Sequence, residues 1–90
     1  MKIELARNMI YKAAWSIDAG KPNMSYSSMA KFYTTTMAEQ VLRDAIQFRG
    51  GYGYMADNDV ERWYRDNRVL LILEGANEIQ LYTIAGALLR

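Results

Sequence analysis

Glu74 is the residue whose surroundings most clearly suggest chemistry, because it stands between five consecutive apolar residues, 69–73, and Gly75. A carboxylate in such a position is solvated at a surface, paired with a positive charge, or held as a general base. A helix that begins just after Gly75 would present unpaired N–H groups, which lower the pKa of a carboxyl, whereas burial against the apolar run would raise it. Spacing alone favours a solvated acid at a helix start, and the other two interpretations stay open.

Several other kinds of chemistry are excluded by the composition. The chain has no histidine and no cysteine, so the usual zinc sites, Cys–His pairs and Ser–His–Asp triads cannot be built from it. Asp57, Asp59 and Glu61 alternate as at the start of a calcium loop, but the sixth place is not glycine and Arg68 stands where the bidentate acid belongs. An acidic helix start explains these residues better, and we expect no metal site.

A glycine-rich stretch also matches a cofactor motif formally. Gly51, Gly53 and Ala56 have the G-x-G-x-x-G/A spacing of a dinucleotide-binding turn. That turn works only between a strand and a helix, and here it follows a predicted helix. The glycines therefore indicate a helix C-cap that runs into a tight turn.

The bulk properties predict one small domain over residues 1–90. With 11 basic and 10 acidic side chains the net charge is +1, and no basic stripe marks a surface for nucleic acid or anionic membranes. The first residues do not form a signal peptide, and no apolar run approaches the ~20 residues that span a bilayer. We expect no nucleic-acid partner, no membrane insertion, and a location in the cytoplasm or, in a eukaryote, the mitochondrial matrix.

The first half of the sequence is predicted to form two long helices. Gly20 and Pro22 end the first helix, which begins without a cap, and the second runs from about Ser25 to Gly50-Gly51. The apolar faces expected to be buried are Ile3, Ala6, Ile10, Ala14 and Ile17 in the first helix, and Ala30, Tyr33, Met37, Val41, Ala45 and Phe48 in the second.

The remaining elements carry the glutamate. Asn58 and Glu61 are spaced as a capping box for a short helix, after which residues 69–73 form a buried connector. A last helix begins at Gly75 or Asn77, and its expected buried residues are Ile79, Tyr82, Gly86 and Leu89. The predicted fold is all-α, an up-and-down bundle of three main helices plus a short one.

Four stretches together carry a resemblance to a known family: IELARNMIYKAAWSIDAGK, SSMAKFYTTTMAEQVLRDAIQFRGGYGY, VERWYRD and ILEGANEIQ. In this order and spacing the chain resembles the C-terminal helical domain of flavin-dependent acyl-CoA dehydrogenases. That family oxidises acyl-CoA thioesters to 2,3-enoyl-CoA: a glutamate removes the α-proton while the β-hydrogen leaves as hydride to FAD. Glu74 stands where the short- and medium-chain members carry this base. A dry site raises the pKa of a carboxyl toward neutrality, where a general base works best.

The resemblance also implies which residues contact the cofactor. The "Q-x-x-G-G" segment of the family lies against the FAD of a neighbouring subunit, and the residues after the base approach the flavin. The residues implied in this chain are Gln47, Gly50 and Gly51, and then Gly75, Ala76 and Glu78. Arg62, Arg65 and Asp66 match a segment that we interpret as structural, with paired charges that stabilise the short helix.

Two differences from the family pattern weaken the expected hold on FAD. The family usually has threonine where this chain has Ala76, and arginine where it has Leu81. Family members are also much longer, with an N-terminal helical domain and a central β domain. The resemblance thus implies part of a C-terminal domain without its first long helix, either an excised fragment or a short reading frame.

We expect such a chain to be inactive by itself, to bind FAD weakly or not at all, and to form a homo-oligomer. The alternative function is a non-enzymatic helical oligomerisation module derived from the family. The preferred acyl chain of the substrate cannot be read from these residues.

Overall fold

A computed structural model describes residues 1–90, all of them in helices or the short segments between helices. The helices are α1 (Lys2–Asp18), α2 (Met24–Arg49), α3 (Gly51–Tyr54), α4 (Asp59–Leu70) and α5 (Asn77–Leu88). The all-α prediction is confirmed, and the single turn α3 is an addition to it. No helix is long and apolar enough to span a membrane.

The long helix α2 is the centre of the fold. Helix α1 runs antiparallel to it, since Lys2 donates to Gln40 at one end while Lys12 lies 4.3 Å from the ring centre of Tyr26 near the other. Helices α4 and α5 follow one another along α2, and α1 contacts neither of them. The connector that carries Glu74 therefore lies at the junction of α4 and α5, beside the middle of α2.

The most buried residues of the two long helices have small side chains. In α1 the buried residues are Ala6, Ala13 and Ser16, and in α2 they are Ser25, Ser28 and Ala30. Small residues let two helix backbones approach closely, because no long side chain stands between them. The helices therefore meet along stripes that a search for large apolar residues does not find.

The predicted buried faces of α1 and α5 are consequently wrong. Of the face assigned to α1 only Ala6 is buried, and Ile3, Ile10 and Ile17 are 49–61% exposed. All four residues assigned to the core in α5 are exposed: Ile79, Tyr82, Gly86 and Leu89. In α2, Ala30 is buried but Val41 and Phe48 are exposed. The predicted buried connector is also exposed, except for the half-buried Leu71.

The helix ends were predicted more accurately than the faces. Gly50 ends α2 with a positive φ of 59°, and Asn58 caps α4 by accepting a hydrogen bond from the Val60 N–H at 3.2 Å. The second half of the predicted capping box is wrong, because Glu61 instead accepts two bonds from Arg65, at 2.8 and 3.2 Å. These bonds lower the pKa of Glu61 below its usual range.

The charges of α4 pair within the helix, as their structural interpretation predicted. Arg65 bonds Glu61, and Arg62 lies 3.0 Å from Asp59, so both pairs join adjacent turns. The hydrogen bond to Glu61 raises the pKa of Arg65, and Asp66, which forms no ion pair, adds a smaller contribution through its charge. Exposed pairs of this kind contribute little to stability, so they favour the helix without determining the fold.

Gly53 is the glycine whose missing side chain matters most for packing. A Cβ at this position would clash with the Ile46 carbonyl oxygen and lie 2.9 Å from the Ile46 Cα and 3.0 Å from the Arg49 Cβ. The first two obstacles are backbone atoms of α2, which cannot move aside as a side chain can. Gly53 therefore allows α3 to fold back onto the end of α2.

We expect Gly53→Ala to lower the free energy of unfolding by about 1–3 kcal/mol, the usual cost of overpacking. The matched control is Gly51→Ala in the same turn, where a Cβ would meet nothing within 4 Å. Urea unfolding followed by circular dichroism measures both variants. Equal stabilities would show that α3 does not pack against α2 in solution.

Candidate active site

Glu74 has an unusual backbone conformation. Its φ is 55°, and it is the one non-glycine residue with a positive φ; Gly75 follows with a φ of 86°. The left-handed region costs a non-glycine residue about 1–2 kcal/mol. Such a conformation persists only where surrounding contacts determine it, and it is typical of functional sites.

Backbone hydrogen bonds close the connector on itself. The N–H of Leu73 donates to the Val69 carbonyl at 2.9 Å, which extends the end of α4. The N–H of Asn77 donates to the Leu71 carbonyl, also at 2.9 Å, and thereby joins the start of α5 to the end of α4. Glu74 lies at the tip of this closed turn.

Side chains from α2 and α5 fix the turn further. Lys31 of α2 donates to the Gly75 carbonyl at 2.9 Å and to the Asn77 side-chain oxygen at 2.7 Å. Gln80 donates to the same Gly75 carbonyl at 3.0 Å. Asn77 is buried, and its amide nitrogen donates to Thr35 at 3.0 Å and Thr36 at 3.2 Å. We name Lys31, Thr35, Thr36, Asn77 and Gln80 the clamp.

The Glu74 side chain itself is free. It is exposed, and its carboxylate forms no hydrogen bond and no ion pair within the chain. Pairing with a positive charge is thus excluded within these ninety residues. The neighbouring Ile72 and Leu73 are 58% and 38% exposed, so the chain alone does not form a dry pocket around the carboxylate.

The predicted cofactor residues form two separate groups. Gly75, Ala76 and Glu78 adjoin Glu74 at the start of α5, which has no side-chain cap. Their backbone N–H groups donate to no acceptor in the chain. The second group is Gln47, Gly50 and Gly51 at the end of α2, and the rise of that helix separates Gly50 from Thr35 of the clamp by about 22 Å.

The group at the end of α2 is open to solvent. A Cβ added at Gly50 or Gly51 would meet nothing within 4 Å, so packing does not require glycine at either position, although the positive φ of Gly50 favours glycine there. The Gln47 amide has no hydrogen-bond partner and lines a cavity of about 370 Å³ together with Arg43 and Arg65. Free donors and unoccupied space beside a glycine turn are features of a surface that another molecule can approach.

The conformation of Glu74 predicts an unusual order of stabilities. At ordinary helix positions glycine is less stable than alanine by roughly 0.5–1 kcal/mol. Residue 74 is in the left-handed region, where alanine is strained and glycine is not. We therefore expect Glu74→Gly to be more stable than Glu74→Ala by about 1 kcal/mol in urea unfolding. The usual order, with alanine more stable, would contradict the positive φ.

Comparison with known proteins identifies the family. The family model described as "Acyl-CoA dehydrogenase, C-terminal domain" matches residues 1–89. The chain belongs to the acyl-CoA dehydrogenase family. This confirms the resemblance that the four stretches carry.

Individual acyl-CoA dehydrogenases are similar to this chain in sequence. The chain is 49% identical over 89 residues to cyclohexane-1-carbonyl-CoA dehydrogenase of Geobacter metallireducens, covering 99% of this chain and 23% of that protein. It is 44% identical to the short-chain specific acyl-CoA dehydrogenase of Megasphaera elsdenii, covering 100% of this chain and 24% of the relative. The chain thus spans about a quarter of the length of these relatives.

Part of the solved structure of butyryl-CoA dehydrogenase from Megasphaera elsdenii has the same fold as this chain. Its TM-score with this chain is 0.96 at 44% identity, over 100% of this chain and 24% of that structure. The helices of this chain, including α1 and α5 with their exposed apolar faces, are therefore arranged as in an acyl-CoA dehydrogenase.

The clamp was not predicted from the sequence, although Lys31 and Thr35 are spaced to share one face of α2.

Proposed function

We propose that these residues supply the catalytic glutamate and part of the FAD site of an acyl-CoA dehydrogenase that oxidises acyl-CoA thioesters to 2,3-enoyl-CoA. The observation that carries this proposal is Glu74, a free carboxylate in a left-handed conformation held by contacts on both sides. A residue that served only as a solvated helix start would not need that conformation. Its position after the apolar run also matches the base of the short- and medium-chain enzymes.

The chemical role of Glu74 is to accept a proton. The carboxylate takes the α-proton of the thioester as the Cα–H bond breaks, and the electron pair forms the new double bond to Cβ. Bound FAD supplies the acceptor for the β-hydrogen, which leaves as hydride. The clamp holds the backbone after the base, and the hydrogen bond from the Leu73 N–H to the Val69 carbonyl holds the backbone before it, so that the main chain of the base is fixed before the substrate arrives.

The two groups of predicted cofactor residues fit two different FAD molecules. The free N–H groups of Gly75, Ala76 and Glu78 can donate to the flavin beside Glu74. Gln47, Gly50 and Gly51 lie too far away to share that contact, and we assign them to the FAD of a neighbouring subunit. This arrangement requires a homo-oligomer, which we propose as the active form, in the cytoplasm or the mitochondrial matrix.

The separation of the two groups also explains why the isolated chain should bind FAD weakly or not at all. Each group offers a fraction of the contacts, and Ala76 and Leu81 lack the polar groups usual at their positions. Partial contacts must still offset the whole loss of freedom of the ligand.

A graft tests the proposal. The corresponding C-terminal quarter of the Megasphaera elsdenii enzyme is replaced with these ninety residues, and the purified protein is examined for bound flavin and for bleaching by butyryl-CoA. We expect a yellow, active graft, and a colourless isolated chain after gel filtration in excess FAD. A graft that binds flavin and acyl-CoA but never bleaches would contradict the proposed role. Stoichiometric flavin on the isolated chain would contradict the division of the site.

A second function follows from the exposed apolar surface. A segment with this surface could serve only to join subunits, without any contribution to catalysis. In that case the graft would assemble and bind flavin but would not bleach with butyryl-CoA. The graft experiment therefore distinguishes the two functions.

A further inference from the structure

We propose that Lys31 is a positioning residue for Glu74: its ammonium group, bonded to the Gly75 carbonyl and the Asn77 side chain, sets the orientation from which the carboxylate takes the proton. This inference rests on the proposed function of Glu74. Lys31 itself does not take part in the proton transfer.

The partners of Lys31 are unusual for a lysine. Of the four ion pairs in the chain none includes Lys31, which is half-buried and faces two neutral oxygens instead. These oxygens belong to residues 44 and 46 positions away in the sequence. A lysine that served only solubility would keep its ammonium group in water. Here the ammonium group is directed at the turn that carries Glu74.

The bond to Gly75 acts directly on the strained turn. A carbonyl oxygen has two lone pairs, and that of Gly75 accepts from Lys31 at 2.9 Å and from Gln80 at 3.0 Å. Both acceptor positions are thus occupied, and the peptide plane after Gly75 cannot rotate without breaking a bond. Because Gly75 follows Glu74 directly, a displacement of this plane would shift the end of the turn that carries Glu74.

The bond to Asn77 links the same ammonium group to a buried residue that also forms hydrogen bonds with α2. Asn77 is 7% exposed, and its amide is held by Thr35 and Thr36. If Lys31 is removed, Gln80 still bonds Gly75 and the threonines still bond Asn77, so the turn should remain folded. What is lost is the only group that bonds both Gly75 and Asn77 from α2. We therefore expect the direction of Glu74 to loosen while the fold persists.

The test compares lysine variants in the flavin-loaded graft. Lys31→Met keeps the length of the side chain and removes its donors, and we expect kcat to fall roughly 10–100-fold, the cost of a displacement near 1 Å. KM, flavin content and melting temperature should remain those of the parent. Lys31→Gln keeps an N–H donor group and should retain more activity than Lys31→Met. The matched control is Lys12→Met, which removes a lysine that bonds no carbonyl and should leave kcat unchanged.

A chemical rescue separates positioning from packing. The ninety residues contain no cysteine, so Lys31→Cys introduces a single thiol into this segment, and bromoethylamine converts it to a side chain with the reach and charge of lysine. We expect alkylation to restore most of the lost kcat, with the alkylated parent graft as the control for thiols elsewhere.

Each outcome decides the inference. A normal kcat in Lys31→Met with an inactive Glu74→Gln overturns the role of Lys31 and leaves the proposed function intact. Normal turnover in Glu74→Gln overturns the proposed function itself. A Lys31→Met graft that loses flavin or melts early, with Lys31→Gln behaving alike, makes Lys31 a structural residue and also overturns the inference.

Discussion

Glu74→Gln in the flavin-loaded graft is expected to reduce turnover by about 10²–10⁴-fold, the usual contribution of a general base. Glutamine has nearly the same shape as glutamate, but its amide cannot accept the α-proton. The Glu74 carboxylate forms no bond within the chain, and the clamp contacts the backbone after it, so the fold and the clamp should persist. Flavin content should therefore equal that of the parent.

The control for this substitution is Glu4→Gln, which removes an exposed carboxylate on α1 whose only partner is Arg7 at 2.9 Å. Surface pairs of this kind contribute little, so turnover should not change. Stopped-flow measurement of flavin bleaching reports the proton abstraction step without interference from product release. Near-normal bleaching in Glu74→Gln would require a different base.

The second large effect that we expect is self-association of the ninety-residue chain. Its accessible surface is 6791 Å², whereas a compact monomer of this mass exposes about 5,400 Å². Its radius of gyration is 15.5 Å, compared with about 12 Å for a compact domain of this length. The excess surface is larger than the roughly 800 Å² that each partner buries in a standard interface.

Much of this surface is apolar, and association with a second copy of the chain is the simplest way to bury it. The apolar residues that are buried are three alanines and Val60, while Trp15, Phe48 and Tyr82 are 64–91% exposed. Exposed apolar patches of more than a few hundred Å² are rare on monomers. We expect a two-fold dimer in which the helices of one copy cover the apolar faces of the other.

Sedimentation equilibrium at micromolar concentration should give twice the 10.4 kDa mass of one chain. Ile10→Lys places a charge on an exposed apolar face of α1 and should weaken the dimer at least about tenfold, since burial of one such side chain is worth roughly 1.5–3 kcal/mol. Ser27→Lys, at an exposed polar position of α2, should not. A folded monomer at these concentrations would mean that the helices cover their own apolar faces in solution.

The sequence was informative where the determinants are local. Gly50 and Asn58 end and begin helices through their own conformation and side chain, so both were predicted. The buried face of α1 was not predicted. It is formed by Ala6, Ala13 and Ser16, which contribute little to a pattern of apolar residues dominated by isoleucine. Large apolar residues of this chain are exposed, so their spacing does not mark the faces along which its helices meet.

In the candidate site, too, the residues with local determinants were predicted and those with long-range contacts were not. Glu74 and Gly75 could be found from an apolar run followed by a turn residue, and the family match gave them a proposed role. Lys31 could not be found, because its partner Gly75 lies 44 residues further along the chain and meets it only after α5 has packed on α2. The cofactor contacts of Gln47 and Glu78 stay predictions, since each needs a second molecule.

The central place of α2 has a consequence for how the chain loses its structure. Helices α1 and α5 each contact no other helix than α2, but α5 is also held by the clamp and by the bond from the Asn77 N–H to the Leu71 carbonyl, whereas detachment of α1 breaks none of these bonds. Elements that share so few neighbours open as separate cooperative units. Unfolding should therefore begin with the release of α1, while residues 24–90 still hold the glutamate turn closed.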